Sequence, residues 1–394
     1  MERADPDQFA QVSKYGISNT ATTSGTAFSL STPENQVSEQ LSVKILSKHE
    51  NELEFELINA DPSIANALRR IMISEVPTVA IEKAVIKNNT SIMQDEVLAH
   101  RIGLVPLRLD PSQFEYFATD GSESGTELNT IVFTLKVDCK MENGVLTPDN
   151  GIVYSRDLVW HRDESHQYND RLTHDEAGNE LPLPGPVHGD IPIMKLCQGQ
   201  SLDLELHCVK GVGRDHAKFS PVGTAVYRLQ NDIRLSKEML GEEKINVKKL
   251  SGAEKVQVKT MNKLRHDLVT RCPLSLNPGT STGSDTSSVF KLIETKSMLD
   301  GDKLYKVKLN NPSSCTMCRE CIQDDELATH VQLLKVKGDY LFKVESIGSM
   351  EPEDIVRKAL AVLKDKCAKV RQTIEDNTEK KGGAAGEEVD DEEM

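Results

Sequence analysis

Residues 61–107, DPSIANALRRIMISEVPTVAIEKAVIKNNTSIMQDEVLAHRIGLVPL, constrain this chain more than any other stretch. Asp61 is a good N-cap, and Pro62 suits a first helical turn, where its missing N–H costs nothing. Ile64, Ala67, Leu68, Ile71 and Met72 recur at three- and four-residue spacing, so the helix carries one apolar stripe. Pro77 ends it by disfavouring helical geometry at Val76. Asn66, Arg69 and Arg70 fall on a flank, where an arginine pair is either a solvated face or a contact for another chain. A second short helix is expected over Gln94–Ile102, stopped by Gly103. Nothing in this stretch is arranged for catalysis. It reads as helical faces presented to another protein.

Charge narrows the partners. Forty-seven basic against sixty-two acidic residues give a formal net charge of −15. A protein that grips nucleic acid normally shows a basic stripe that neutralises phosphates. The nearest approach to one, Lys244 to Lys259, is interrupted by apolar residues and Glu254, so little or no direct nucleic-acid contact is expected. No apolar run is long enough to span a bilayer, and residues 1–30 are too polar for a signal peptide, so no membrane is expected either. Eight cysteines in 394 residues then point to thiols and metal ligands rather than a disulfide framework.

Periodicity along the rest predicts an α+β chain. Residues 1–38 read as a flexible polar arm. Leu41, Val43 and Ile45, then Leu53, Phe55 and Leu57, alternate as two strands, and a further strand is expected around Thr78–Ile86. From 107 to 257 the pattern is β-rich, with strands at Ile131–Val137, Leu202–Cys208 and Thr224–Leu229 around a polar loop from Ser155 to Gly189. Strands follow at Val289–Thr295, Lys303–Leu309 and Tyr340–Ser346. A last helix runs from Pro352 to about Ile374, with Glu353 and Asp354 in its first turn where they suit the helix dipole. Ile355, Val356, Ala359, Leu360, Leu363, Cys367 and Val370 share one face of it. That face either packs on the chain's own sheet or meets a partner. Residues 376–394 read as a disordered acidic tail.

One constellation carries chemistry. Cys315-Thr-Met-Cys318-Arg-Glu-Cys321 cannot lie on a single helical face, so the backbone must wrap around whatever the thiols hold. Joined to the distant Cys272-Pro273, the spacing matches iron–sulfur ligation of the bacterial ferredoxin type. Three readings stand: a 4Fe-4S cluster, tetrahedral zinc, or free thiols. Glu96 and His100 are four apart on a helix, but no third ligand or general base accompanies them, and His216 reads as structural. No phosphate-cradling glycine loop or nucleophile elbow occurs, so the chain is expected to have no catalytic residues of its own.

Asn66-Ala67-Leu68-Arg69-Arg70, Glu75-Val76-Pro77-Thr78 and Ala99-His100-Arg101-Ile102-Gly103-Leu104 resemble the α-subunit-type dimerisation motif of cellular RNA polymerases. Ile81-Glu82-Lys83, Asn88-Asn89-Thr90-Ser91, Gln94-Asp95-Glu96 and His216-Ala217-Lys218-Phe219-Ser220-Pro221-Val222 look closest to the branch of larger α-like subunits shared by nuclear polymerases I and III. The resemblance covers roughly residues 40–375. It implies a discontinuous dimerisation domain, 39–106 and 258–375, interrupted by a β-rich insertion domain, 107–257. It also implies a small ferredoxin-like subdomain in 272–322, by analogy with archaeal relatives whose clusters would map onto Cys272, Cys315, Cys318 and Cys321. The implied function is a non-catalytic scaffold that pairs with a smaller α-like subunit and nucleates assembly of the large catalytic subunits, in the nucleus including the nucleolus, for ribosomal, 5S and transfer RNA synthesis. Ile64, Ala67, Leu68, Ile71, Met72, Ile355, Ala359, Leu360 and Leu363 would form the dimer interface, and Asn66, Arg69, Arg70, His100 and Arg101 would touch the large subunits. The competing reading is a ferredoxin-type electron carrier, supported by the cysteines alone.

Overall fold

The computed structural model describes residues 5, 8–20, 41–117, 126, 128–142, 144–161, 172, 173, 183–241, 251–275 and 288–384. They fall into two compact units, each built from separate stretches of chain: Met1–Lys44, Glu56–Pro62 and Arg228–Leu341 in one, and Ile45–Phe55, Ser63–Tyr227 and Phe342–Met394 in the other. The strands are β1 (Phe9–Val12), β2 (Ile17–Ser18), β3 (Ser42–Lys48), β4 (Glu52–Ile58), β5 (Pro77–Asn89), β6 (Thr130–Asp138), β7 (Ser201–Val212), β8 (Val222–Leu235), β9 (Phe290–Leu299), β10 (Asp302–Leu309) and β11 (Val331–Ser346), with shorter pairs between them. The main helices are α1 (Pro62–Ser74), α2 (Asp95–Gly103), α3 (Gly252–Arg271) and α4 (Pro352–Ala384).

The unit containing α1, α2 and α4 centres on an antiparallel sheet in the order Val159–Trp160, β6, β7, β5. Its register sets Leu204 opposite Leu135 and Leu206 opposite Phe133, so the alternating apolar residues of both strands land on one face. Leu98 and Ile102, one helical turn apart on α2, complete the same core with Ile81, Ile193 and Leu196. Elsewhere in this unit Phe55 stacks on Phe342 with ring centroids 4.9 Å apart, and Tyr227 lies 5.2 Å from the same ring.

In the other unit β1 pairs antiparallel with β11, Phe9 opposite Val336 and Val12 opposite Leu333. The β9–β10 hairpin turns at Asp300-Gly301, both at positive φ (51° and 92°), the geometry that a right-twisted two-residue turn requires. α3 packs on this hairpin through Leu264, Leu268 and Val269. Ser251 and Glu254 start it with a reciprocal capping box.

Three sequence expectations need correction. The arm expected over 1–38 contains β1 and β2, because Ala10 and Val12 alternate inward and are buried on β11; residues 21–40 lie outside the described residues. The β-rich insertion core begins at β5 rather than at 107, since β5 pairs with β7 along its length and shares a core with β6. The insertion sheet itself ends with β7 at Val212, and α3 packs on β9 and β10. Finally, α4 continues to Ala384, ten residues beyond the expected end; 385–394 lie outside the described residues.

Candidate functional site

The α1 stripe is rotated relative to its sequence reading. Ala65, Leu68, Ile71 and Met72 are buried within the chain, while Ile64 and Ala67 are half-buried on the flank. A side chain already covered by its own chain cannot also be a seam completed by another, so Leu68 (4% exposed), Ile71 and Met72 are core residues. On the polar flank Arg69 donates to Asn66 Oδ1 from Nε and a terminal nitrogen, at 3.3 and 3.0 Å, and Arg70 is exposed. The C-terminal end of α1 is met by the 212–215 loop, where Arg214 N–H donates to the Ser74 carbonyl. The loop approaches so closely that a Cβ at Gly213 would collide with the Ile73 carbonyl oxygen.

α4 divides the same way. Ile355 and Ala359 are fully buried, Leu363 is half-buried, and Leu360 is 50% exposed. From 364 to 378 every residue is exposed, including Val370 (60%) and Ile374 (59%). Val356, Leu360, Leu363, Cys367, Val370 and Ile374 alternate at four- and three-residue steps, the spacing of a heptad stripe. Two ion pairs fix the covered half, Lys48 to Glu353 at 3.1 Å and Lys358 to Asp110 at 3.2 Å, and Lys366 to Glu75 at 2.7 Å ties the start of the exposed half to the residue after α1. Burial alone would raise the Asp110 carboxyl, but hydrogen bonds from the Ser112 hydroxyl and amide, with the Lys358 charge, hold it below the ordinary carboxylate range.

Arg101 is committed within the chain. Its guanidinium donates to the Ile193 and Pro192 carbonyls at 2.8 and 2.9 Å, tying α2 to the strand Pro192–Lys195. His100 is exposed, and its ring stands edge-on to that of His216, centroids 6.5 Å apart, at a cavity of about 190 Å³. His216 Nδ1 accepts the Lys218 backbone N–H at 3.2 Å and so caps the short turn Ala217–Phe219.

The four expected ligand cysteines are brought into one neighbourhood. Cys272 ends α3, and Cys315 and Cys321 are buried in the core beside it, while Cys318 is exposed. The Cys315 carbonyl accepts from Asn231 Nδ2 at 2.6 Å and from Arg228 at 3.3 Å; its sulfur accepts the Met317 N–H at 3.3 Å. Met317 and Arg319 adopt positive φ (56° and 70°), which lets the chain double back between the thiols. Burial, reinforced by the other three thiols, pushes Cys321 up to about 12; burial likewise raises Cys315. Yet among the described residues no three His, Cys, Asp or Glu side chains stand close enough to hold a metal ion. The segment after β10 is made of 3-10 turns, at Pro312–Ser314 and Glu320–Ile322, and the short helix Asp325–Ala328; 276–287 lie outside the described residues.

The sequence reading missed two parts of these surfaces. α3 escaped because it is polar and its apolar spacing is interrupted; the Ser251-x-x-Glu254 box was the usable signal. Ile374 belongs to the α4 seam, one step beyond Val370 in the same spacing. No helix among the described residues is long and apolar enough to cross a membrane.

Residues 54–367 match the family model described as the RNA polymerase Rpb3/Rpb11 dimerisation domain. The chain is 36% identical over 340 residues to the DNA-directed RNA polymerases I and III subunit rpac1 of Dictyostelium discoideum, covering 86% of this chain and 84% of that protein. It is 38% identical over 332 residues to the RPAC1 subunit of Homo sapiens, covering 82% of each. With the RPAC1 subunit of Saccharomyces cerevisiae it shares 37% over 334 residues, covering 82% and 84%. A match of this extent is decisive: the protein belongs to the RNA polymerase Rpb3/Rpb11 dimerisation family.

Proposed function

We infer that this chain is a non-catalytic scaffold subunit of the nuclear RNA polymerases I and III, working in the nucleus and nucleolus. It pairs with a smaller α-like subunit, and the pair nucleates assembly of the large catalytic subunits that make ribosomal, 5S and transfer RNA. The observation that carries this reading is the heptad stripe on α4, whose exposed part offers Leu360, Val370 and Ile374 with Leu363 to one partner helix. The seam therefore lies further along α4 than Ile355 and Ala359, with Ile64 and Ala67 as its candidates on α1. Of the polar residues expected against the large subunits, Arg70 and His100 remain free to serve.

The electron-carrier reading has no such support: its thiols do not form a ligand set as folded, and they occupy a small part of a chain that matches polymerase subunits over most of its length. Affinity purification of the tagged chain from nuclear extract tests the scaffold reading. Near-stoichiometric recovery of the small α-like subunit and of both polymerases' catalytic subunits is expected. Recovery as a lone species with no polymerase polypeptide would overturn it.

A further inference from the structure

The apolar stripe on α4 marks where a second helix can lie, and the charges beside it restrict which helix that can be. In heptad terms Leu360, Cys367 and Ile374 occupy a positions, and Leu363 and Val370 occupy d positions. Lys364 and Arg371 then fall at e and Lys366 at g, the two rows that flank a helix–helix seam. The acids of the same stretch, Asp365, Glu375 and Asp376, fall at f, b and c, turned away from the stripe. In a chain with a net charge of −15, cations on both flanks and carboxylates only outside them run against the composition.

The two flanks are not equivalent. Buried Ile355 and Ala359, half-buried Val362 and then Lys366 follow four- and three-residue steps along the face that the chain covers itself, and there Glu75 neutralises Lys366 at 2.7 Å. The e row lies on the far side of the stripe. Lys364 and Arg371 are exposed, and neither is ion-paired among the described residues. A second copy of this chain meets that pattern badly in either orientation. In a parallel pair the g residue of one helix faces the e residue of the next heptad on the other, which sets Lys366 against Arg371. In an antiparallel pair the e rows face each other, which sets Lys364 and Arg371 against their own copies. Like charges across a seam weaken that pairing, whereas carboxylates opposite them favour it.

We propose that the cationic flank of the α4 stripe selects a partner helix whose own flanking positions are acidic, with carboxylates opposite Lys364 and Arg371, and that the same charges keep two copies of this chain from pairing through α4. The inference rests on the scaffold reading and deepens it, since the occupant is a helix of the small α-like subunit. Apolar contact supplies the attraction; charge supplies the choice of partner.

The test reverses the charge and leaves the stripe intact. The full chain carrying Lys364→Glu and Arg371→Glu should bind the small α-like subunit roughly tenfold more weakly than wild type at about 0.1 M salt, and the gap should narrow at about 1 M, where charges are screened within about 3 Å. Asp365→Lys, at an outer position, should change the affinity by no more than about twofold. All three side chains are exposed, so the lone variants should melt with the wild type. A carbodiimide, which joins an amine to a carboxylate, should link Lys364 to an Asp or Glu of the small subunit in the purified pair, as read by peptide mass spectrometry. In sedimentation, an equimolar mixture of wild-type and reversed chains should associate more than the wild type alone; equal association would overturn the claim about self-pairing. Wild-type affinity in the reversed variant, while Leu360→Asp, Val370→Asp, Ile374→Asp abolishes pairing, would overturn the charge selection and leave the scaffold reading standing. Failure of the wild-type chain itself to bind the small subunit would instead sink the scaffold reading and this inference with it.

Discussion

Cys318 and Cys321 are three residues apart, yet their surroundings make them chemically distinct. Cys321 is buried among the side chains that pack around α3, and its thiol is pushed up to about 12, so at pH 8 only about one part in ten thousand is thiolate. Cys318 is exposed on the turn between the two positive-φ residues. Iodoacetamide, which reacts with thiolate, should therefore alkylate Cys318 at least a hundredfold faster than Cys321 at pH 8, with Cys315 also slow. Peptide mass spectrometry over a time course reads those rates directly. Protection of Cys318 together with the other three, lifted by a chelator and accompanied by stoichiometric zinc or iron, would show that the thiols close around a metal in a way their present spacing does not. The same residue-level logic explains Arg101. Its place in the Ala-His-Arg-Ile-Gly motif draws attention to its charge, but two carbonyls on the neighbouring strand use its donors, so removing it would loosen the α2 anchor before it touched any partner.

At the scale of elements, the two helices with apolar stripes respond differently to the same substitution. Leu68 lies in the core, so Leu68→Asp would bury a carboxylate without a partner and cost the isolated chain about 3 kcal/mol or more. The combined variant Leu360→Asp, Val370→Asp, Ile374→Asp changes side chains at least half exposed, and should leave isolated stability within about 0.5 kcal/mol for each. Only the second should remove the small subunit while the chain stays folded. Denaturant titration with co-purification distinguishes the two, and normal pairing by the triple variant would place the seam elsewhere. Much of this architecture was legible because its elements obey one period at a time: β6, β7, the β9–β10 hairpin with its Asp-Gly turn, and the start of α4 all stand where alternation or capping puts them. What the pattern cannot decide is which of two apolar faces is already occupied. α1 reads as one stripe, yet the covered side is offset to Ala65, Leu68 and Met72, and only packing against the rest of the fold settles that. Short or polar elements were illegible for another reason. β1 has four residues, too few for a period to register, and α3 is held by three buried apolar side chains and a buried Arg265 whose donors go to the Tyr305 and Glu238 carbonyls.

For the whole molecule the question is what an exposed seam does to a chain that folds without its partner. Each unit has its own core, so the isolated chain is expected to fold; beyond Lys366, which pairs with Glu75, every α4 side chain to residue 378 is exposed, and short isolated helices are marginal in water. α4 should therefore fray beyond about residue 367 in the isolated chain and become protected when the partner helix is present. Mass action adds a stability effect. A partner that binds only the folded chain stabilises it by RT ln(1 + [L]/Kd), about 2.7 kcal/mol when the free partner is at a hundred times Kd. For units of this size that corresponds to a rise in melting temperature of roughly 5–11 °C, dependent on partner concentration. Amide hydrogen exchange should show the matching local signature: fast exchange across 368–384 in the lone chain, slowed at least tenfold in the pair, with little change at Leu98 and Ile102, whose side chains are buried in the isolated fold. A melting temperature indifferent to the small subunit, with α4 already protected in the isolated chain, would mean that the helix is satisfied without a second polypeptide.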